Sequence, residues 1–325
     1  MRFAYYPGCS GHGSSVEYEA STQAVCKALG MELVEVPDWN CCGSTPAHSV
    51  SHELSAALAA RNLMQAGKTG CDCMLTPCPS CSSNLKMGRP RMQDPDFKAG
   101  VDELLDEPTP TAENGGADLM ETYSVLQAIT ENVDAASIAS RVIRPLEGIK
   151  VVCYYGCLLS RPAEVAKFDD PENPMALDNI MKALGAEVLP FAMKTECCGA
   201  AMGIPDVNIP GTLSGRILDA AKAAGAQAVV TACPLCHMNL ELRQRQADGR
   251  MAVMAAGVHH ARLLACKGKA GGLGHGKCIH IGTDRNYRAG ARKGKTANNS
   301  SVAHALGRDS HCLQLLSDVL SGFIF

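Results

Sequence analysis

The sequence predicts an α/β protein made of two related halves. Each half holds a small parallel sheet, with extra helices between the halves and an irregular C-terminal tail. Three observations carry this expectation. First, one arrangement of cysteines occurs twice: Cys9, Cys41-Cys42-Gly43 and Cys78-Pro79-Ser80-Cys81, then Cys157, Cys197-Cys198-Gly199 and Cys233-Pro234-Leu235-Cys236. The gaps correspond, at 31 and 35 residues in the first copy and 39 and 34 in the second, and ten of the 17 cysteines fall into the pattern. Second, strand-like and helix-like runs alternate in the same order in both copies. Third, each cysteine set follows a strand-like run, and ligands of open parallel sheets bind outside the carboxyl ends of the strands.

In chain order, residues 1–6 predict a short apolar strand, with Cys9 on the loop beyond Pro7-Gly8. Val16 to Leu29 carries apolar residues at helical spacing and stops at Gly30. Residues 31–36 predict a second strand ending at Pro37, followed by the first Cys-Cys-Gly. Ser51 to Met64 predicts an Ala- and Leu-rich helix, and 73–76 a third strand leading into Cys78. The stretch from Lys86 to Arg144 reads as mainly helical, with a polar turn over 108–116 and helices over 119–129 and 135–143. The joint is placed at 145–148, giving domains over 1–148 and 149–257. The second domain repeats the plan, with strands over 149–155, 187–189 and 228–231 and helices over 175–184 and 211–224.

The tail over 258–325 breaks the pattern. It is Gly-rich and basic, and it holds six of the ten histidines. It is read as foreign to the fold, the product of a shifted reading frame or a disordered extension. Two segments there approach a phosphate loop, but Cys278 and Ala289 break the motif and neither follows a strand, so both are dismissed. Gly11-His12-Gly13 likewise lacks the third glycine of a dinucleotide fingerprint.

Composition narrows the function. Hydrophobic residues make up 46% and charged residues 19%, the balance of a globular chain. The net charge of -3 favours neither nucleic acid nor an anionic membrane surface. Aromatics at 4% argue against base-stacking platforms. The start of the chain reads as a strand rather than a secretion signal, and no apolar run suggests a membrane span. A cytoplasmic protein is expected, in which dense cysteine signals metal or redox chemistry.

Each copy offers five thiols, one more than a tetrahedral ion uses. Adjacent cysteines pair with each other only under strain, but side by side they suit a polynuclear centre. Soft thiolates select zinc, Cu(I) or iron–sulfur clusters. Zinc leaves the fifth thiol unused, a redox dithiol leaves Cys-Cys-Gly unexplained, and simple burial leaves the repeated register unexplained. Cys153 competes with Cys157, but the repeat alignment sets Cys157 opposite Cys9. Cys26, Cys71 and Cys73 read as core thiols, and Cys266, Cys278 and Cys312 lie in the tail.

The double pattern resembles the paired Cys-Cys-Gly domains of the B-type subunit of heterodisulfide reductase. Tyr6-Pro7-Gly8-Cys9 and Tyr155-Gly156-Cys157-Leu158-Leu159-Ser160-Arg161-Pro162 resemble its signature loops, as do the two Cys-Pro-x-Cys segments. The resemblance covers residues 1 to about 254. It implies two pseudo-twofold-related, Rossmann-like cysteine-rich (CCG) domains, each holding a noncubane [4Fe-4S] cluster. The implied ligands are Cys9, Cys41, Cys42, Cys78 and Cys81, then Cys157, Cys197, Cys198, Cys233 and Cys236. It implies reduction of a mixed disulfide, that of coenzyme M and coenzyme B or an analogous one, to two thiols. It also implies a ferredoxin-like [4Fe-4S] subunit and a flavin-containing subunit as partners. Electron transfer within a quinone-linked or 2-hydroxy-acid oxidoreductase is the alternative, and a zinc-stabilised scaffold the third. His12, His48 and His237 lie near the cysteine loops. His237 is the best-placed proton source, and Lys194 and Arg161 are candidates to attract an anionic substrate.

Overall fold

The computed structural model describes residues 1–45, 47–110, 119–203, 205–243 and 252–255. The expectations for the tail, including its phosphate-loop segments, Cys266, Cys278 and Cys312, therefore lie outside the described residues. All described residues belong to one compact unit, Met1–Leu264; the second unit, Ala265–Phe325, lies outside them.

The first repeat runs β1 (Arg2–Tyr5), α1 (Gly8–Gly11), α2 (Val16–Ala28), β2 (Glu32–Glu35), α3 (His52–Gly67), β3 (Cys73–Thr76), α4 (Pro79–Arg91), α5 (Pro95–Asp102) and β4 (Glu121–Ser124). Two helices, α6 (Val125–Asn132) and α7 (Ala135–Ser140), lead to the second repeat. There follow β5 (Lys150–Tyr154), α8 (Ala163–Ala166), α9 (Ala176–Ala183), β6 (Glu187–Val188), α10 (Asn208–Ala223), β7 (Ala228–Thr231), α11 (Pro234–Leu242) and β8 (Ala252–Ala255). The two sheets match: β2-β1-β3-β4 and β6-β5-β7-β8, with every pairing parallel. A central first strand flanked by the second and third reproduces the predicted repeat.

Each sheet is buried on both faces, as parallel sheets are, and the period of two divides its side chains between cores. Ala4, Tyr6 and Met74 point to a core of the first repeat. Val152, Tyr154 and Val229 point to a core of the second. The alternate residues Phe3, Tyr5, Leu75, Val151, Cys153, Tyr155 and Val230 all enter one shared cluster. That cluster also takes Cys26 of α2, Leu126 and Ile129 of α6, Ile138 of α7 and Leu177 and Met181 of α9. The halves are thus joined by common apolar burial and share part of their hydrophobic core.

Local differences from the sequence reading have identifiable causes. The run 119–129, expected as one helix, is β4 followed by α6. Glu121 to Ser124 pairs with Cys73 to Thr76, and Ser124 then caps α6 by accepting from the Gln127 N–H. Sheet pairing overrides a helical period here. The edge strand β8 was not foreseen; it pairs with β7. Cys9 sits within the short helix α1 rather than on a loop. Among the described residues, no helix is long and apolar enough to cross a membrane.

Candidate metal centre

Each Cys-Pro-x-Cys opens a helix. Cys78 and Cys233 take the N-cap positions of α4 and α11, and Pro79 and Pro234 follow. Proline suits the first helical turn because its missing N–H has no partner there anyway. The helix dipole and free N–H groups at this end favour a thiolate. The Cys236 N–H, for instance, donates to the Cys233 sulfur at 3.5 Å. The chain then brings the Cys-Cys-Gly turn against the helix: the Cys42 and Cys81 sulfurs lie 3.3 Å apart, and those of Cys198 and Cys236 lie 3.6 Å apart.

The glycine of each Cys-Cys-Gly is needed for its backbone. Gly199 has φ +78°, and a Cβ there would meet the Pro210 Cα at 2.9 Å; Gly43 is its counterpart at φ +81°. Gly199→Ala is expected to lower unfolding stability by ~2–4 kcal/mol, combining left-handed strain with a backbone clash. Chemical denaturation of the full chain measures this. Gly156 lets the chain approach a thiol closely, since a Cβ there would lie 3.1 Å from the Cys236 sulfur.

Two residues that the sequence reading overlooked lock the turns. Asn84 donates from Nδ2 to the Cys42 carbonyl at 2.6 Å and meets Ser55. Asn239 does the same to the Cys198 carbonyl at 2.6 Å and meets Ser214. All four side chains are buried. The signal was present: in both copies an Asn stands three residues after the second Cys of Cys-Pro-x-Cys. Asn239→Ala is expected to cost ~1–2 kcal/mol, because it removes the shorter of two hydrogen bonds to the buried Cys198 carbonyl and leaves only the Ser214 hydroxyl at 3.1 Å, and the same denaturation measurement checks it.

The described cysteines are free, and within each copy the five predicted thiols form a connected nest. Cys42 and Cys9 both hydrogen-bond Cys41 and bring it down to about 2, against the effect of burial. Cys42 is pushed up to about 12, its bond to Cys41 outweighing that to Cys81. Cys9 rises through its bond to Cys41 and burial, and Cys81 through its bonds to Cys42 and Cys78. In the second nest, Cys197 is lowered to about 6 by Cys157 and Cys198 to about 7 by Cys236. Cys157 and Cys236 rise as the partners of these bonds. Cys78, completely enclosed, is lowered chiefly by Cys233 and then by Cys81. Cys233 is raised: its bond to Cys236 pulls down, but the bond to Cys78 and burial prevail.

The Cys78–Cys233 contact crosses from one repeat to the other, so the two nests adjoin. The surrounding contacts share the pseudo-twofold logic. The segment after Cys9 packs on α11, where the Ser15 hydroxyl donates to the Pro234 carbonyl at 3.4 Å. The segment after Cys157 packs on α4, where Lys86 Nζ donates to the Ala166 carbonyl at 2.7 Å. Tyr18 of α2 is buried beside the junction; burial and the nearby Cys233, Cys78 and Cys236 push its phenol up. Nothing in the sequence marked Tyr18, since it has no repeated mate.

The donor set fits a polynuclear thiolate-bound group better than one ion. Five sulfurs converge in each nest without disulfides, and several are held toward the thiolate that metals bind.

The other predicted residues fare differently. Cys153 is fully buried and faces the shared core, away from the nest, and Cys26 is also a core thiol. His237 is half-buried, with its ring 6.4 Å from that of Tyr18. Arg161 is ion-paired with Glu172 at 2.6 Å. Lys194 cannot draw in a substrate as expected: it is 6% exposed and paired with buried Asp178 at 2.9 Å. His12 is exposed, 5.1 Å from Trp39 by ring centroid, and His48 stacks edge-on with His52 at 4.5 Å.

Comparison with known proteins agrees with this geometry. The CCG cysteine-rich domain family matches residues 3–86 and 151–241, one match per repeat. The chain is 31% identical to the 8-methylmenaquinol:fumarate reductase membrane anchor subunit of Wolinella succinogenes, over 76% of this chain and 84% of that one. It is 26% identical to the B-type subunit of the ferredoxin/F420H2-dependent CoB-CoM heterodisulfide reductase of Methanosarcina acetivorans, over 75% and 80%. It is 29% identical to a protein of Archaeoglobus profundus that is itself like the B-type subunit of heterodisulfide reductase, over 82% and 91%. A hypothetical protein from Helicobacter pylori shares the fold at a TM-score of 0.59 and 9% identity; the match covers 81% of this chain and 49% of that one. The chain is therefore a member of the CCG cysteine-rich domain family, among the iron–sulfur proteins related to the B-type subunits of heterodisulfide reductases.

Proposed function

We propose that this chain is the catalytic iron–sulfur subunit of a heterodisulfide reductase-like complex. In this reading Cys9, Cys41, Cys42, Cys78 and Cys81 hold one noncubane [4Fe-4S] cluster, and Cys157, Cys197, Cys198, Cys233 and Cys236 hold the other. When bound, such groups supply single electrons and soft iron sites for sulfur. The observation that carries the reading is the adjacency of the two nests: α1, which carries Cys9, packs on α11, which opens at Cys233, with the Ser15 hydroxyl 3.4 Å from the Pro234 carbonyl, and Cys78 and Cys233 shift each other's thiols. Reducing a disulfide takes two electrons and two protons and yields two thiols, so a pair of adjoining one-electron sites matches the count. In this reading His237, directly after Cys236 in the chain, would deliver a proton to a departing thiolate. Buried Tyr18 helps keep water out of the junction between the repeats. Electrons would arrive from a ferredoxin-like [4Fe-4S] subunit and a flavin-containing subunit.

The similarity to the W. succinogenes protein supports a second reading, in which the chain relays electrons within a quinol-linked oxidoreductase. Anaerobic full-length protein, reduced by an artificial dye, separates the two. Release of two thiols per added disulfide favours catalysis; oxidation by a quinone analogue without thiol release favours the relay.

A further inference from the structure

We propose that Asp178 is the positioning residue of the second nest, tying the chain that presents Cys157 to the chain that presents Cys197. Tyr155, two residues before Cys157, donates its hydroxyl to Asp178 Oδ2 at 2.6 Å. Lys194, three residues before Cys197, reaches Asp178 Oδ1 at 2.9 Å. The ring closes through the backbone, where the Tyr155 and Gly156 N–H groups donate to the Lys194 carbonyl at 2.8 and 3.1 Å. The remaining capacity of these groups is also used: the Leu177 N–H donates to the Tyr155 hydroxyl at 2.9 Å, and Lys194 Nζ donates to the Pro174 carbonyl at 2.8 Å. Tyr155, Asp178 and Lys194 are 1%, 3% and 6% exposed. A brace so enclosed has no solvent to substitute for a lost partner.

The first nest has only half of this brace: Tyr5 donates its hydroxyl to buried Glu19 Oε2 at 2.6 Å, but the other Glu19 oxygen accepts from Gln23 rather than from the chain before Cys41. The residues corresponding to Tyr155 and Lys194 are Pro7 and Asp38, and Asp38 pairs outward with Arg61. Its cysteine turn is held instead by Asn62, which bonds the Asn40 backbone from both sides. Removing the Asp178 ring therefore loosens one nest and spares the other.

The brace is tested without metal in the full chain carrying Tyr155→Phe, Asp178→Leu and Lys194→Met together, which leaves no charge unpaired. Alkylation of each cysteine by iodoacetamide is followed by mass spectrometry. Cys157 and Cys197 are expected to react about tenfold faster than in the wild type, the change ~1.4 kcal/mol of lost ordering produces. Cys9 and Cys41 keep their rates. Unchanged rates at all four, or equal acceleration at all four, overturn the proposal. If the triple variant does not fold, Tyr155→Phe alone decides: acceleration confined to Cys157 and Cys197 supports the brace, and unchanged or general rates overturn it. The significance of the brace for a bound centre rests on the cluster reading. With metal, the triple variant should shift the paramagnetic signal of one centre only. A wild-type chain that takes up no iron would defeat that reading and leave the alkylation result standing.

Discussion

Cys81→Ser is expected to halve the iron of anaerobically purified protein, from about eight atoms per chain to about four. Cys81 is 4% exposed, and its sulfur lies 3.3 Å from that of Cys42. It stands where the α4 helix meets the Cys-Cys-Gly turn. A serine oxygen is a harder, more basic donor and is a poor substitute in a thiolate set. The second nest has its own five sulfurs and keeps its share. Cys157→Ser should remove the other half. Cys26→Ser and Cys153→Ala should leave the iron count unchanged, because both thiols face the shared core. Metal and acid-labile sulfide analysis of each variant reads these outcomes directly.

Lys194→Met is expected to lower stability by ~3–5 kcal/mol, because it leaves the Asp178 carboxylate buried without its cation. The Lys194 and Asp178 side chains are only 7% and 5% exposed. The Asp38–Arg61 pair of the first repeat is a natural contrast. Its side chains are 76% and 33% exposed, so the ion pair itself is worth no more than ~1 kcal/mol, and Arg61→Met should cost less than Lys194→Met even though Arg61 also donates to the Asp38 carbonyl and Asn40 Oδ1. Urea midpoints of the two variants, measured side by side at low and high salt, test this ordering. The salt series adds a second check, since screening weakens exposed pairs far more than buried ones.

The nests were largely legible in the sequence, because thiols recurring in register leave few alternative explanations. The parallel sheets were legible for a related reason: short apolar runs ended at every cysteine set, and β1, β3, β5 and β7 fall where those runs lie. What escaped was set by contacts distant in sequence. Glu121 to Ser124 is only four residues long and runs straight into the helix at Val125, so the strand preference of Thr122 and Tyr123 was masked; pairing to the edge of β3 makes it a strand. Lys194 looked like a surface charge until Asp178, 16 positions earlier, proved to be its partner. Asn84 and Asn239 were visible as a repeated residue, but only the fold shows each one reaching back to its Cys-Cys-Gly carbonyl. The sharing of one core between the repeats was hidden as well. Alternation along β1 and β5 says that two faces are buried, but not that one face of each leads to the same cluster.

Metal and acid-labile sulfide content of the anaerobically purified full-length protein tests the account most directly. Two thiol nests holding polynuclear centres predict iron and sulfide in nearly equal amounts, about eight of each per chain. Zinc at about two per chain with no inorganic sulfide would contradict it, since that is the yield of two tetrahedral thiolate sites.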